Sequence, residues 1–287
     1  MQSPSKPIRV IVTGINGRMG RYCTKLFAEN PDFKLVGATG RAGADYIGKD
    51  AGELVGLLRT GVVIVGGLND LPQGLEADVL LDFSHAEPAV EHMKWALDKG
   101  LRAVTGSSGL EPQDIKSLTE LAARKRLGAM HVPNFAVGAV LMMEFARQAG
   151  AFFPNVEIVE MHHTKKLDAP SGTAMHTARK LSESGNQFNP REVEDHELLE
   201  GSRGGKVESG VRIHSLRLPG LISHQEVIFG APGELLTVRH DSFNTDCFGK
   251  GIELALKAVM DLDHMVVGLE NILNLNAPAR AQEVTAK

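Results

Sequence analysis

Short apolar runs alternate with amphipathic stretches along the first half of the chain. The run 8–14, IRVIVTG, is rich in β-branched residues and ends in glycine, as buried parallel strands often do. Segment 18–30 has helical periodicity and stops before a proline, and 32–40 is again strand-like. Further strands are predicted at 62–67, 78–84, 102–109 and 128–135, and helices at 86–100 and 111–128. This alternation predicts an α/β fold with a mostly parallel, doubly wound sheet.

The pattern changes after about residue 135. A strand-like segment at 156–163 precedes a helical one at 172–184. Three strand-like segments follow at 210–218, 223–230 and 234–243, the last two joined by the turn APG. Together they predict a second, α+β domain with a mixed or antiparallel sheet. An amphipathic helix at 249–262 is expected to return to the first domain, and the tail 276–287 to fray.

The composition of the chain argues against some kinds of binding partner and some cellular locations. The 287 residues are enough for two modest domains, and a formal net charge of −4 argues against nucleic acid or an anionic membrane as the main partner. The two cysteines, Cys23 and Cys247, cannot build a disulfide framework, which favours a reducing compartment. No apolar stretch has the length of a signal peptide core or a membrane span, so a cytoplasmic location is expected.

The loop GINGRMG joins the first predicted strand to its helix. Glycines at such a position permit a tight turn and let the backbone approach a pyrophosphate, which the helix N-terminus then stabilises. Glycine also occurs in strand–helix turns that bind nothing, but the β-α-β context favours a dinucleotide. The candidate cofactor-binding residues are Gly14, Ile15, Asn16, Gly17, Arg18 and Met19.

The end of the second predicted strand bears on which dinucleotide binds. An NAD site usually carries an acid there that binds the ribose 2′-hydroxyl. Segment 37–43, GATGRAG, has no acid and contains Arg41, which would attract a 2′-phosphate. NADPH is therefore favoured, with use of NADH left open; the alternative is an ordinary surface arginine.

The segment 160–174, EMHHTKKLDAPSGTA, concentrates reactive side chains. Adjacent histidines on a strand face opposite sides and no HExxH spacing is present, so no metal site is predicted from His162 and His163. Ser171 lies outside a GxSxG elbow, which argues against a serine triad. A histidine titrating near neutral pH suits proton transfer, and Lys166 suits carboxylate binding or proton donation.

The end of the same segment has the composition of a helix start. Pro170 suits the residue before a helix, and Ser171 or Thr173 could cap it. Gly172 would leave backbone N–H groups accessible to a substrate carboxylate at the positive end of the helix. The competing interpretation is an ordinary capped helix after a polar turn.

Several motifs together resemble one enzyme family. GINGRMG, DFSHAEPAV, VTGSSG, VPNFAVGA, EMHHTKKLDAPSGTA and LPGLISHQEVIFGAPGELLTVRHDSF occur in the order seen in 4-hydroxy-tetrahydrodipicolinate reductases, also called dihydrodipicolinate reductases. The resemblance covers about residues 8–262, and its HHxxKxDAPSGTA signature is highly specific. It implies NAD(P)H-dependent reduction of hydroxy-tetrahydrodipicolinate, with loss of water, in diaminopimelate and lysine synthesis.

The resemblance also implies a domain organisation. Residues 1–134, completed by 242–287, would form a Rossmann-type dinucleotide-binding domain. Residues 135–241 would bind the small-molecule substrate and build a homotetramer.

The resemblance implies roles for individual residues. His162 matches the family's proton donor and acceptor, Lys166 its proton-donating, substrate-binding lysine, and His163 a substrate-binding histidine. Gly172 and Thr173, with Ser171 before them, match the carboxylate pocket. Two further cofactor strips are implied, namely Gly106, Ser107 and Ser108, where the family usually has Gly-Thr-Thr, and Val132, Pro133, Asn134 and Phe135 beside the nicotinamide.

One position departs from the family pattern. Thr245 stands where relatives usually carry an arginine near the substrate, with Arg217 and Arg239 as possible replacements. Loss of an arginine–carboxylate contact weakens binding of a dianion. Two alternatives are therefore kept, a related reductase of another cyclic imine or carboxylic acid and a nucleotide-binding homologue without catalysis.

Overall fold

The computed structural model describes residues 6–183, 185–190 and 196–273, which form two β-sheets with flanking helices. The predicted fraying of 276–287 lies outside these residues. Among these described residues, none of the helices combines the length and the apolar character that a membrane span requires.

The first sheet has seven strands and all of its pairings are parallel. Its order is β12-β6-β5-β4-β1-β2-β3. The strands are β1 (Ile8–Thr13), β2 (Phe33–Thr39), β3 (Ile64–Val65), β4 (Val79–Asp82), β5 (Arg102–Thr105), β6 (Ala129–His131) and β12 (Met265–Val267). The helices connecting them are α1 (Arg18–Glu29), α2 (Ala86–Asp98) and α3 (Pro112–Lys125). The predicted doubly wound parallel sheet is confirmed.

The second sheet has five strands in the order β11-β10-β7-β9-β8. The strands are β7 (Asn155–His162), β8 (Gly205–Lys206), β9 (Arg212–Arg217), β10 (Ser223–Ala231) and β11 (Glu234–Ser242). The central strand β7 is antiparallel to β10 but parallel to β9, so the sheet is mixed. Helices α4 (Val137–Ala149) and α5 (Gly172–Ser182) pack against this sheet. Helix α6 (Gly249–Ala258) instead packs beside α1, where Asn30 Nδ2 donates to Glu253 at 3.0 Å, so the chain returns to the first sheet as expected.

Burial follows from the apolar pattern. Val10 and Val12 of β1 and Leu80 and Leu81 of β4 have no exposed surface, because helices cover both faces of a parallel sheet. In β7 every second residue is buried, since its other face is only partly covered. This alternation places residues 156, 158, 160 and 162 on the inner face of the second sheet.

Several predicted boundaries differ from the observed ones. The third predicted strand, 62–67, shrinks to two residues, and 128–135 to three, because their remaining residues form loops at the sheet edge. Helix α4 was not predicted, and neither was β12. The first seven residues of α4 are all apolar or glycine, and its polar residues Glu144, Arg147 and Gln148 lie only in the second half, so the amphipathic pattern is too short to predict the helix.

Candidate active site

The carboxyl ends of the parallel strands carry three of the predicted cofactor segments. The glycine loop follows β1, residues 106–108 follow β5 and residues 132–135 follow β6. Parallel strands end at the same edge of a sheet, so these segments lie along one edge. Ligands of doubly wound folds bind outside this edge.

The glycine loop is closely packed. Gly14 has a φ of +69°, and a Cβ there would lie 2.4 Å from the carbonyl oxygen of Phe83. Gly17 is the N-cap of α1 and has no side chain, so the first N–H groups of the helix receive no side-chain cap.

The other side chains of the glycine loop differ in their contacts. Asn16 Oδ1 accepts from Arg21 Nη2 at 2.5 Å, whereas Ile15 is fully buried in the core. Arg18 at the start of α1 is exposed, and Met19 packs on the core. The absence of room for a side chain at Gly14 is what the predicted backbone cradle for a diphosphate requires.

Two aromatic rings enclose the glycine of the second segment. A Cβ on Gly106 would lie 2.5 Å from the Phe83 ring and 2.7 Å from the Phe135 ring. The centroids of those rings are 5.6 Å apart. Ser107 is buried and its hydroxyl donates to Asp82 at 2.8 Å, whereas Ser108 is exposed. Of the two serine hydroxyls, that of Ser108 is therefore the accessible one.

Arg41 lies just beyond β2, beside the glycine loop's strand in the sheet. Its side chain is exposed, and its backbone N–H donates to the Tyr46 hydroxyl at 3.0 Å. The ring of Tyr46 packs on Gly40, where a Cβ would come within 2.3 Å of it. The backbone that carries the arginine is thus fixed while its guanidinium remains accessible.

A buried glutamate organises the histidine segment. Glu160 and His162 share the inner face of β7, and His162 Nδ1 lies 2.6 Å from Glu160 Oε2. Arg217 donates to both carboxylate oxygens of Glu160 at 2.9 and 2.8 Å and also to the carbonyl of Asp168 at 2.8 Å. Ser171 N–H donates to Glu160 at 3.2 Å. One carboxylate therefore joins the histidine to the loop that begins α5.

These contacts determine the charge states. Burial alone would raise the pKa of Glu160, but hydrogen bonds from Arg217, Ser215 and His162 outweigh it and hold that pKa below its usual value. Burial lowers the pKa of His162; Glu160 opposes this, and the charges of Lys166 and Arg217 add to it. An ionised carboxylate only accepts, so we assign the Nδ1 proton to the side facing Glu160. The other nitrogen, Nε2, then faces the Ser223 hydroxyl at 3.0 Å.

Lys166 and His163 supply further polar groups. Lys166 Nζ is paired with the exposed carboxylate of Asp168 at 2.7 and 2.8 Å, which lowers the pKa of Asp168. His163 Nδ1 is buried without a hydrogen-bond partner in the described part of the chain, so it retains a free bonding position. Among the described residues no cluster of three or more His, Cys, Asp or Glu side chains could hold a metal ion.

Helix α5 begins where the sequence predicts a carboxylate pocket. Ser171 is its N-cap, and the serine hydroxyl accepts from Ala174 N–H at 3.2 Å. This serine is therefore occupied with capping and with Glu160. Gly172 and Thr173 form the first two helical positions, whose N–H groups have no acceptor inside a helix. Asn134 Nδ2 reaches Thr173 Oγ1 at 3.4 Å, which brings the segment after β6 to this helix end.

The position of the missing arginine is a turn. Thr245 opens a 3₁₀ turn, Thr245–Phe248, in which Asn244 Oδ1 accepts from Asp246 N–H at 2.9 Å. Of the two replacements considered, Arg217 lies in the site, bound to Glu160 as described. Arg239 instead pairs with Glu226 and with Asp241 on β11. The structure thus supplies one cation beside Lys166 without position 245.

Comparison with models of known protein families gives the same family as the sequence motifs. Residues 8–135 match the model of the dihydrodipicolinate reductase N-terminus, and residues 138–273 match that of the C-terminus. The chain belongs to the dihydrodipicolinate reductase family. It is a nucleotide-dependent oxidoreductase, as the sequence predicted.

Curated members of the dihydrodipicolinate reductase family include close relatives. The chain is 46% identical over 274 residues to the 4-hydroxy-tetrahydrodipicolinate reductase of Bacillus cereus (strain AH187), covering 94% of this chain and 100% of that one. The enzyme of the same name from Bacillus anthracis shows the same identity and coverage. A dipicolinate-bound dihydrodipicolinate reductase from Paenisporosarcina sp. TG-14 has a TM-score of 0.82 at 40% identity, covering 93% of this chain and 100% of that one.

A more distant protein shares only the fold with this reductase. The amine dehydrogenase from Mycobacterium smegmatis has a TM-score of 0.62 at 14% identity, covering 94% and 96% of the two chains.

Closing the cradle at Gly14 is expected to weaken cofactor binding. In Gly14→Ala the new methyl would press on the Phe83 carbonyl, and we expect the NADPH dissociation constant to rise about 10-fold or more. Fluorescence titration of NADPH measures it. Gly74→Ala is the matched control, because Gly74 has a φ of +76° but no described atom within 4 Å of the added Cβ. Equal affinities of the two variants would contradict the cradle.

Proposed function

We propose that the protein reduces 4-hydroxy-tetrahydrodipicolinate to tetrahydrodipicolinate with NAD(P)H and loss of water, in diaminopimelate and lysine synthesis. The observation that carries the proposal is the junction at Glu160, which joins His162 to the start of α5 beside Lys166. The Bacillus relatives, 46% identical over their full length, bear the name of this activity.

NADPH is the cofactor we propose, with NADH use left open. At Gly14 and Gly106 the surrounding atoms leave no room for a Cβ, which fits the close approach of backbone and dinucleotide diphosphate. Arg41, exposed and with no acid at the end of β2, fits a 2′-phosphate. A bound reduced nicotinamide supplies the hydride.

The protein's own residues bind the substrate and handle the proton. The N–H groups of Gly172 and Thr173 at the positive end of α5 bind one substrate carboxylate. Lys166 exchanges Asp168 for the substrate anion and stabilises the charge that develops as hydride arrives. His163 adds a contact through its unpartnered nitrogen. The proton that completes the reduction comes from the His162 and Lys166 pair.

Removal of either proton donor is expected to affect turnover more than cofactor binding. His162→Ala and Lys166→Ala should each lower kcat about 100-fold or more, the usual contribution of a positioned acid. The NADPH dissociation constant should stay within about 2-fold, since neither residue lies on the cofactor edge. Turnover is followed by loss of reduced-nicotinamide absorbance, with substrate generated from pyruvate and aspartate semialdehyde by a coupling synthase.

Lys165→Ala is the control for that experiment, because Lys165 is an exposed neighbour of Lys166. Wild-type turnover by both His162→Ala and Lys166→Ala would refute the assignment. If the wild-type chain binds NADPH but does not reduce this substrate, a related reductase with another substrate becomes the better interpretation.

The pH profile tests the role of His162. If its imidazolium gives the proton, kcat/KM rises as pH falls through neutrality and levels off below the pKa of His162, which burial holds under its usual value. Glu160 raises this pKa, so Glu160→Gln should move the rise to lower pH. Glu157→Gln is the matched control. Glu157 lies on the same strand as Glu160, but it pairs with His214 and Arg203 away from the site. A flat profile would leave proton delivery to Lys166 alone.

We also propose that the protein is a cytoplasmic homotetramer. Residues 1–134 and 242–287 would form the dinucleotide-binding domain, and residues 135–241 the substrate-binding domain.

The support for the tetramer is strand β11, an edge strand of nine residues whose Leu235 is 76% exposed and Leu236 38% exposed. An exposed apolar edge favours pairing with another chain.

Light scattering should give the mass of four chains for the wild type. Leu235→Arg should give smaller species, since a charge would be buried in the contact. Leu58→Arg, at a position 91% exposed outside this sheet, should keep the wild-type mass. A tetramer with unchanged mass in Leu235→Arg would place the contact elsewhere.

A further inference from the structure

A second buried carboxylate lies at the cofactor edge. Asp82 is the last residue of β4 and has no exposed surface. Its two oxygens lie within hydrogen-bond distance of five side chains: Thr13 Oγ1 at 2.6 Å, Ser84 Oγ at 2.6 Å, His92 Nδ1 at 2.8 Å, Thr105 Oγ1 at 2.8 Å and Ser107 Oγ at 2.8 Å. These partners come from four segments of the fold: the end of β1, the loop after β4, helix α2, and the end of β5 with the loop that follows it.

The partners of Asp82 stand where the cofactor segments begin. Thr13 is the residue before Gly14, and Thr105 is the residue before Gly106. Ser107 lies within the second segment itself. Ser84 follows Phe83, whose carbonyl and ring pack against Gly14 and Gly106 respectively. One carboxylate thus contacts the bases of three loops at the C-terminal edge of the sheet.

The second segment is held from its other side as well. The carbonyl of Ser107 accepts from His131 Nε2 at 3.1 Å, and His131 is the last residue of β6. Ser107 N–H donates to Thr105 Oγ1 at 3.1 Å. The hydroxyl, amide and carbonyl of Ser107 are therefore all used internally, and this residue positions its neighbours.

We propose that Asp82 is the positioning residue of the nucleotide site, fixing the glycine loop and the Gly106–Ser108 segment in the binding geometry before the cofactor arrives. The proposal rests on the assignment of these segments to NAD(P)H. Burial alone would raise the pKa of Asp82, but hydrogen bonds from His92, Ser84, Thr13 and Ser107 outweigh it and hold that pKa at about 2. The carboxylate is thus ionised throughout the working range, and a buried anion strongly disfavours loss of any donor.

Preorganisation of these loops predicts that a mutation of Asp82 lowers cofactor affinity more than turnover. Loops that are already ordered lose less conformational freedom on binding, so disordering them weakens cofactor affinity without moving the groups that handle the proton. A carboxylate needed only for stability would lower the melting temperature and leave the cofactor dissociation constant unchanged.

Asp82→Asn is the test, because it keeps the shape and removes the charge and part of the accepting capacity. We expect the NADPH dissociation constant to rise about 10-fold or more, with kcat at saturating NADPH and the substrate KM within about 3-fold. Titration of NADPH fluorescence gives the dissociation constant without turnover. A wrong substrate assignment would therefore leave this measurement intact.

Asp78→Asn is the matched control. Asp78 directly precedes the same strand, four residues and about 13 Å from Asp82, and binds the backbone N–H of Arg9 at 2.8 Å and its guanidinium at 2.8 and 3.0 Å. Its loss should lower the melting temperature and leave NADPH affinity within about 2-fold of wild type.

If Asp82→Asn does not fold, Thr13→Val removes one donor while preserving shape, and a rise of about 3-fold in the NADPH dissociation constant is expected. Destabilised variants of Asp82 and Thr13 with wild-type NADPH affinity would overturn the proposal.

Discussion

Buried carboxylates need a hydrogen-bond donor for each oxygen if they are to stay charged, and this requirement links the elements of the site. Glu160 and Asp82 have no exposed surface, and each ends or nearly ends a central strand. Their donors come from segments distant in sequence, as with Arg217, fifty-seven residues from Glu160. Because an unpaired donor or acceptor in the interior is costly, these segments stay where the carboxylates hold them.

In the proposed function, each of the two networks supports one half of the active site. The network around Asp82 lies under the glycine segments, and that around Glu160 lies under the histidine and the start of α5. The segment after β6 reaches the start of α5 through the contact between Asn134 and Thr173. The groups proposed for the nucleotide and for the proton therefore lie on elements that touch.

The sequence allows the parallel sheet to be predicted because each β-α unit carries its own apolar periodicity. Strand pairing is not readable in that way, so the second sheet was predicted only as mixed or antiparallel, and β9 was not identified as the strand parallel to β7. Helix α4 has polar residues only in its second half and was missed. At the site, the glycine loop and residues 160–174 were located through their motifs, since the spacing itself is informative.

The two carboxylates were not predicted, for a physical reason. An acid in an apolar strand has meaning only through its donors, and those lie in other strands and loops. The available signals were an aspartate ending the buried run VLLD and a glutamate two residues before His162 on the same strand face. The inward direction of Ser107 is likewise fixed by Asp82 and not by the GSS motif.

Asp168 pairs with the ammonium group of Lys166 in the proposed anion site. Its carboxylate belongs to a residue two positions away in the chain and is 62% exposed. In the proposed function, a substrate anion would compete with the carboxylate of Asp168 for Lys166, at little cost because that carboxylate is mostly exposed. The same carboxylate would pair with Lys166 again when the product leaves. Turnover at Lys166 would thus exchange one carboxylate partner for another.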